Sequence, residues 1–292
     1  MKNSTYHSIK LAFLIAKRYL GIALFTAIAG AILSTTNLKA QGNMLLTPKR
    51  VVFERNKTSE SINLANSGTD TTRYVISLIH LRMKEDGTIE EISQADAGQL
   101  SAEPYVRYFP RTVKLAPNEA QVIRMQLNNS VKMIPGEYRS HLYVRALNKP
   151  TPLGTKEAIQ SETIGVKLVP VFGISIPVIV RVGESKAGVS ITGPSLKITA
   201  TDHSILSLIL NRSGDMSLYG DITVKHIDPN GKTIQVCIVK GLAVYTPNLT
   251  RTIDLELDNN SLVNYRKGKL VVQFISQVDG KDKKLAESEL GL

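Results

Sequence analysis

Apolar and polar positions alternate with a period of two through almost the whole chain after residue 44. The segments MLLTPKRVVFE (44–54), ESINLANSG (60–68) and TRYVISLIHLRM (72–83) come first. RTVKLAPNEAQVIRMQL (111–127) reads as two strands around a Pro-Asn turn. GEYRSHLYVRAL (136–147) sends Tyr138, Leu142 and Val144 to one face and Arg139, His141, Tyr143 and Arg145 to the other. Residues i and i+2 share a face only in an extended chain, so this pattern predicts strands. NSGTD (66–70) and EDGT (85–88) supply turns between them. No segment of this part carries a convincing helical period. The sum is an all-β chain of sandwich type.

A small, polar stretch, VGESKAGVS (182–190), interrupts the pattern and reads as a linker. A second set of strands follows: SLKITATD, SILSLILNRSG, YGDITVKHIDPNGKTIQVCIVKG, TRTIDLEL and KGKLVVQFIS, with DPNG (228–231) as a tight turn. The expected organisation is therefore a leader over 1–40, one sandwich over 41–182 and another over 183–292. Sandwiches of roughly 140 and 110 residues are of ordinary domain size.

The leader is a separate object. Lys2, Lys10, Lys17 and Arg18 precede an apolar block, Tyr19–Leu33, and a polar exit ending at Ala40. That is the layout of a secretory signal peptide. The alternative is an uncleaved anchor, for which the block is shorter than the ~20 residues a span needs. The mature chain carries no stable membrane span on this reading. Losing the five basic residues of the leader (Lys39 is the fifth) lowers the net charge from +11 to +6. The remainder is spread along the chain, without basic runs interleaved with stacking aromatics, which argues against nucleic acid. The lone Cys237 permits no intrachain disulfide and sits in an apolar strand, as a structural thiol does. The four histidines that follow the leader, His80, His141, His203 and His226, make no metal-ligand spacing. No nucleophile motif or phosphate-binding glycine loop is present, so neither an enzyme nor a cofactor is expected. His80 and His141 read as surface or cross-strand residues.

One stretch resists this scheme. GVKLVPVFGISIPVIVRVG (165–183) follows a polar, proline-containing loop over 148–163. As a helix it would carry Pro170 and Pro177 internally, at ~3 kcal/mol each. As a strand it places Leu168, Pro170, Phe172, Ile174, Ile176 and Val178 on one face, and Val169, Val171, Ser175, Pro177 and Ile179 on the other. A strand apolar on both faces is normally central. Proline belongs on edges, at bulges or at strand ends. The residues alone leave open a kinked central strand and an edge held ready for another chain.

Four segments in order, KRVVFE (49–54), SINLANSGTDTTRYVISL (61–78), YFPRTVKLAPNEAQVIRMQL (108–127) and GEYRSHLYVRAL (136–147), resemble the first domain of the periplasmic pilus-assembly chaperones, the PapD-like family. The resemblance implies two immunoglobulin-like β-sandwiches in an L-shaped arrangement. It implies an ATP-independent chaperone of the periplasm that donates an edge strand, here about 165–180, to an incomplete immunoglobulin-like pilin or surface-fibre subunit. The partner-binding residues it implies are Leu168, Val169, Val171, Phe172, Ile174, Ser175, Ile176 and Ile179, with Arg50 as the arginine that anchors the subunit's C-terminal carboxylate. The family's second anchor is a lysine, and Ser175 stands at or near its place. Lys167 lies about eight residues earlier, roughly 26 Å along an extended strand. A different class of function is a two-sandwich structural or assembly factor of the cell envelope that binds a partner and never hands it on.

Overall fold

The computed structural model describes residues 44–54, 57–128, 132–147, 171–199, 203–259, 262–278 and 281–292. The leader, the polar stretch 148–163, Leu168 and Val169 lie outside the described residues. Contacts divide the chain between Gln41 and Gly42, and Gly42–Leu292 is one compact unit. Within it the described residues form strands and one turn of 3-10 helix, Glu103–Tyr105, with no α-helix among them.

The first ten strands are β1 (Met44–Thr47), β2 (Val51–Phe53), β3 (Ser59–Asn66), β4 (Thr72–Met83), β5 (Ile89–Ile92), β6 (Val106–Phe109), β7 (Thr112–Leu115), β8 (Ala120–Leu127), β9 (Gly136–Leu147) and β10 (Gly173–Val182). They build two facing sheets, ordered β1-β3-β8-β6 and β2-β10-β9-β4-β5, with β7 on the flank of β4. Inward residues of both sheets, among them Phe53, Ile62, Leu64, Ile123, Leu142, Val144 and Val178, close one core. The stretch 44–54 is not one strand. It breaks at Pro48, and its two halves pair in different sheets, β1 with β3 and β2 with β10. The pair around the Pro-Asn turn is split likewise, β7 joining β4 and β8 joining β3. The turn at 66–70 is fastened by the buried Asn66. Its Nδ2 donates to the Asp70 and Leu115 carbonyls at 2.8 and 3.1 Å, and its Oδ1 accepts from Gly68 N at 3.0 Å.

The remaining strands are β11 (Gly188–Ile198), β12 (Ser204–Ser213), β13 (Leu218–Ile227), β14 (Thr233–Val244), β15 (Thr250–Leu257), β16 (Lys269–Val278) and β17 (Lys281–Gly291). Their sheets run β11-β12-β15 and β14-β13-β16-β17. A second core, including Leu206, Leu210, Val224, Val236, Leu255, Val272 and Phe274, lies between them. Strand β11 begins inside the expected linker. Strand β17 is an addition to the expected set: its first five residues are exposed, and only from Ala286 on do half-buried positions alternate with exposed ones. Among the described residues no helix is long and apolar enough to cross a membrane, and no group of three His, Cys, Asp or Glu side chains could hold a metal ion.

Candidate functional site: a half-open strand and the arginine seam beside it

Strand β10 is both of the alternatives left open by the sequence, in succession. At Val178–Val180 it lies between antiparallel β9 and parallel β2. From Gly173 to Pro177 it pairs with β9 alone among the described residues. Ala146 N donates to Phe172 O at 3.0 Å. Antiparallel pairing alternates, so Phe172, Ile174 and Ile176 turn their backbone groups to β9, and Gly173, Ser175 and Pro177 turn theirs to the open flank. Pro177 therefore removes no hydrogen bond from the β9 ladder, which is how a proline is accommodated here. A Cβ at Gly173 would meet the outer end of the Tyr143 ring, which lies across the backbone there.

The side chains divide at the same place. Ile176, Val178 and Val180 enter the first core. Ile179 is fully buried in a separate cluster with Met83, Ala243 and Tyr245, beside Val52. Val171, Phe172 and Ile174 are 51%, 45% and 37% exposed, whereas Ile176 is 3% exposed. Ile174 shares a row with Val144 and Ile76, both buried, yet among the described residues it has no strand on its other side. Among the described residues, the even-numbered face is therefore buried only from Ile176 onward. Of the expected contact residues that are described, Val171, Phe172, Ile174 and Ser175 present surface, while Ile176 and Ile179 are covered by the chain itself.

The other face of this sheet meets the second sandwich. Register places Val52, Ile179 and Arg139 side by side, and next to them Arg181 and Glu137. Glu137 is buried and accepts from Arg181 Nε at 3.1 Å, from Ser217 N at 3.1 Å and from the Ser217 hydroxyl. Arg181 also gives Nη2 to Ser217 O at 3.1 Å. Arg139, 1% exposed, gives Nη1 to Leu81 O at 3.2 Å and Nη2 to Thr246 O at 3.0 Å, with its guanidinium 4.4 Å from the centre of the Tyr245 ring. His141 is not at the surface. It packs edge-on to Tyr245, and burial, with Arg139 and then His80 nearby, pulls its pKa down to about 3.

Arg50 immediately precedes β2 and lies in the same seam. Its guanidinium sits 4.1 Å from the centre of the Tyr219 ring. Its Nη1 is buried without a hydrogen-bond partner. Burial lowers its pKa most, and of its charged neighbours Arg181 lowers it while Glu137 raises it. A guanidinium is ionised at any ordinary pH, so what burial leaves here is a charge in need of an anion. Chemically the site offers a strand flank for backbone pairing, three exposed apolar side chains beside it, and an arginine able to take a carboxylate through two parallel hydrogen bonds. Glu137, Arg139, Arg181, Tyr219 and Tyr245 were not singled out from the sequence. Alternation marks the polar face of a strand but does not distinguish water from a second domain as its neighbour.

No protein-family model and no curated protein matches the chain. Among solved structures, the YadV chaperone is 13% identical, with 86% of this chain and 100% of that one covered and a TM-score of 0.43. The class 5 fimbriae chaperone CfaA is 15% identical over 85% of this chain and 98% of its own, at a TM-score of 0.41. The CsuC–CsuE chaperone–tip subunit complex of Acinetobacter baumannii Csu pili gives 13% identity, 72% and 89% coverage, and a TM-score of 0.39.

Proposed function

We propose that this chain is a periplasmic assembly chaperone that works without ATP. It captures an incomplete immunoglobulin-like subunit of a pilus or surface fibre by adding strand β10 to it. The observation that carries the reading is the half-open strand: Gly173–Pro177 bonds to β9 only among the described residues, next to exposed Val171, Phe172 and Ile174. An unpaired apolar edge is an aggregation hazard that proteins ordinarily blunt, and keeping one is the condition for capturing a partner strand. Main-chain bonds then supply affinity and the alternate side chains supply selectivity. Arg50 anchors the subunit's terminal carboxylate in the seam. The leader 1–40 delivers the chain to the periplasm, and the sandwiches 41–182 and 183–292 form the two domains that flank the seam.

The test replaces Phe172 and Ile174 together with Asp and compares co-purification of a fibre subunit from periplasmic extract with that of the parent. Capture should fall at least tenfold while the isolated chaperone still unfolds cooperatively in urea, at a cost of about 1–2 kcal/mol, because both side chains are only partly covered before binding. Recovery of the subunit in full by a folded double variant contradicts the proposal. The same assay excludes the alternative of a permanent envelope factor if captured subunits exchange off in the presence of a competing free strand.

A further inference from the structure

Arg50 and Tyr219 come from different sandwiches, and the placing of Tyr219 has its own local cause. Tyr219 is the second residue of β13, where the register with β14 shifts between Gly220 and Ile222. Such a bulge re-aims the side chains next to it. The extra residue lies on β14, where Lys240 and Gly241 face Asp221 alone; Gly241 has φ of 72° and donates its N–H to Asp221 Oδ1 at 2.9 Å. A Cβ at position 241 would lie 3.1 Å from the Tyr219 hydroxyl oxygen, so glycine also makes room for the ring. Ser276 Oγ holds the Tyr219 carbonyl at 2.8 Å. The ring remains 42% exposed, with the Arg50 guanidinium over it.

The seam contains a built-in comparison. Arg139 also lies over a tyrosine, Tyr245, but both its terminal nitrogens are given to carbonyl oxygens. Arg181 is committed to Glu137 and Ser217 O. Arg50 has the ring, and its buried Nη1 has no hydrogen-bond partner among the described residues. A guanidinium laid on a ring has its donor edge fixed in one plane, and the ordering cost of a long side chain is met before a ligand arrives. A planar anion suits that fork better than a neutral amide does.

We propose that Tyr219 is a positioning and specificity residue for the carboxylate seat at Arg50, holding the arginine of the first sandwich in place from the second. The inference rests on the reading of Arg50 as the carboxylate anchor. It explains how a seat can work with Ser175 where a second basic residue would otherwise stand: the tyrosine supplies the rigidity and leaves the charge to one arginine.

The test uses an alternating Val-Thr peptide with a free C-terminal carboxylate and the same peptide as its C-terminal amide. Each is titrated against the parent, Tyr219→Phe and Tyr219→Leu by calorimetry. The readout is the ratio of the two dissociation constants, which a merely structural role would not move. The parent should prefer the acid by about tenfold or more, Tyr219→Phe should keep that preference, and Tyr219→Leu should bring it to within about twofold of unity. Affinity for the amide should be the same in all three. A preference that survives Tyr219→Leu overturns the inference and leaves the anchor standing. Loss in Tyr219→Phe as well as Tyr219→Leu overturns the ring platform. A parent that binds neither peptide, or both equally, overturns the anchor and the inference with it.

Discussion

Acidification should loosen this protein through one imidazole. His141 is buried against Tyr245, next to Arg139 and His80, and its pKa is drawn from 6.5 down to about 3. Above pH 6.5 it is neutral whether the chain is folded or not, and it costs nothing. Below that, the unfolded chain gains a proton that the folded chain refuses, so stability falls as pH falls, by ~1.4 kcal/mol per pH unit, until the folded imidazole also titrates. Between pH 6.5 and pH 5 the loss is therefore ~2 kcal/mol. That figure is the same for any folded pKa well below 5. The perturbation is His141→Gln, which removes the titration and keeps a neutral side chain. Urea unfolding at pH 7.5 and pH 5.0, followed by far-ultraviolet circular dichroism, gives the free energy for each protein. The parent should lose ~2 kcal/mol more than the variant on going to pH 5.0, with the variant's own cost at pH 7.5 cancelling in the difference. Equal losses in the two proteins would show that His141 is hydrated in the native seam, and the packing of the second sandwich over β9 would be wrong.

Other substitutions test the division of labour along the same strands. Glu137→Gln leaves Arg181 without its buried partner; Glu54, 3.6 Å away and half exposed, offers partial relief, so the expected cost is about 2 kcal/mol in urea unfolding, below the ~3–5 of a wholly buried pair. Ile176→Ala should cost about 2–4 kcal/mol because it opens a cavity in the first core, whereas Ile174→Ala, two residues earlier, should cost under ~1 kcal/mol and act on partner capture instead. Similar costs for the two would mean that the core does not end where β10 loses its second neighbour.

Half-buried strands were legible because water and core alternate along them. Strand β12 buries every second residue, as does the end of β15, and both lie where the pattern of the sequence puts them. Strand β17 shows a weaker case: Lys281 to Gly291 pairs with β16 along its length, but its first five residues are exposed, and only Ala286 and Leu290 pack against the second core, so the charged run Lys281–Lys284 hides it in the sequence. The switch of 44–54 between sheets depends on which partners the halves find, a matter of topology; Pro48 hints at a break but names no neighbour. At the site, Arg50 came only through the family resemblance, whereas the anomalous run around Ile174 stood out from residue types. The seam did not, because Arg139, His141 and Glu137 occupy the polar face of β9, and a polar face covered by another domain has the same spelling as one covered by water. Only the packing of Tyr245 and Ser217 against that face separates the two.

Amide hydrogen exchange read residue by residue along β10, in the free protein and in its complex with a captured subunit, bears on the proposed function most directly. In the free protein the amides of Ile174 and Ile176, turned toward β9, should be protected, and that of Ser175, turned to the open flank, should exchange nearly as fast as in an unstructured peptide; in the complex Ser175 should slow by at least a hundredfold. A Ser175 amide already slow in the free protein means that the flank is closed by the chain itself, and one that stays fast in the complex means that the partner does not pair there; either result contradicts the account.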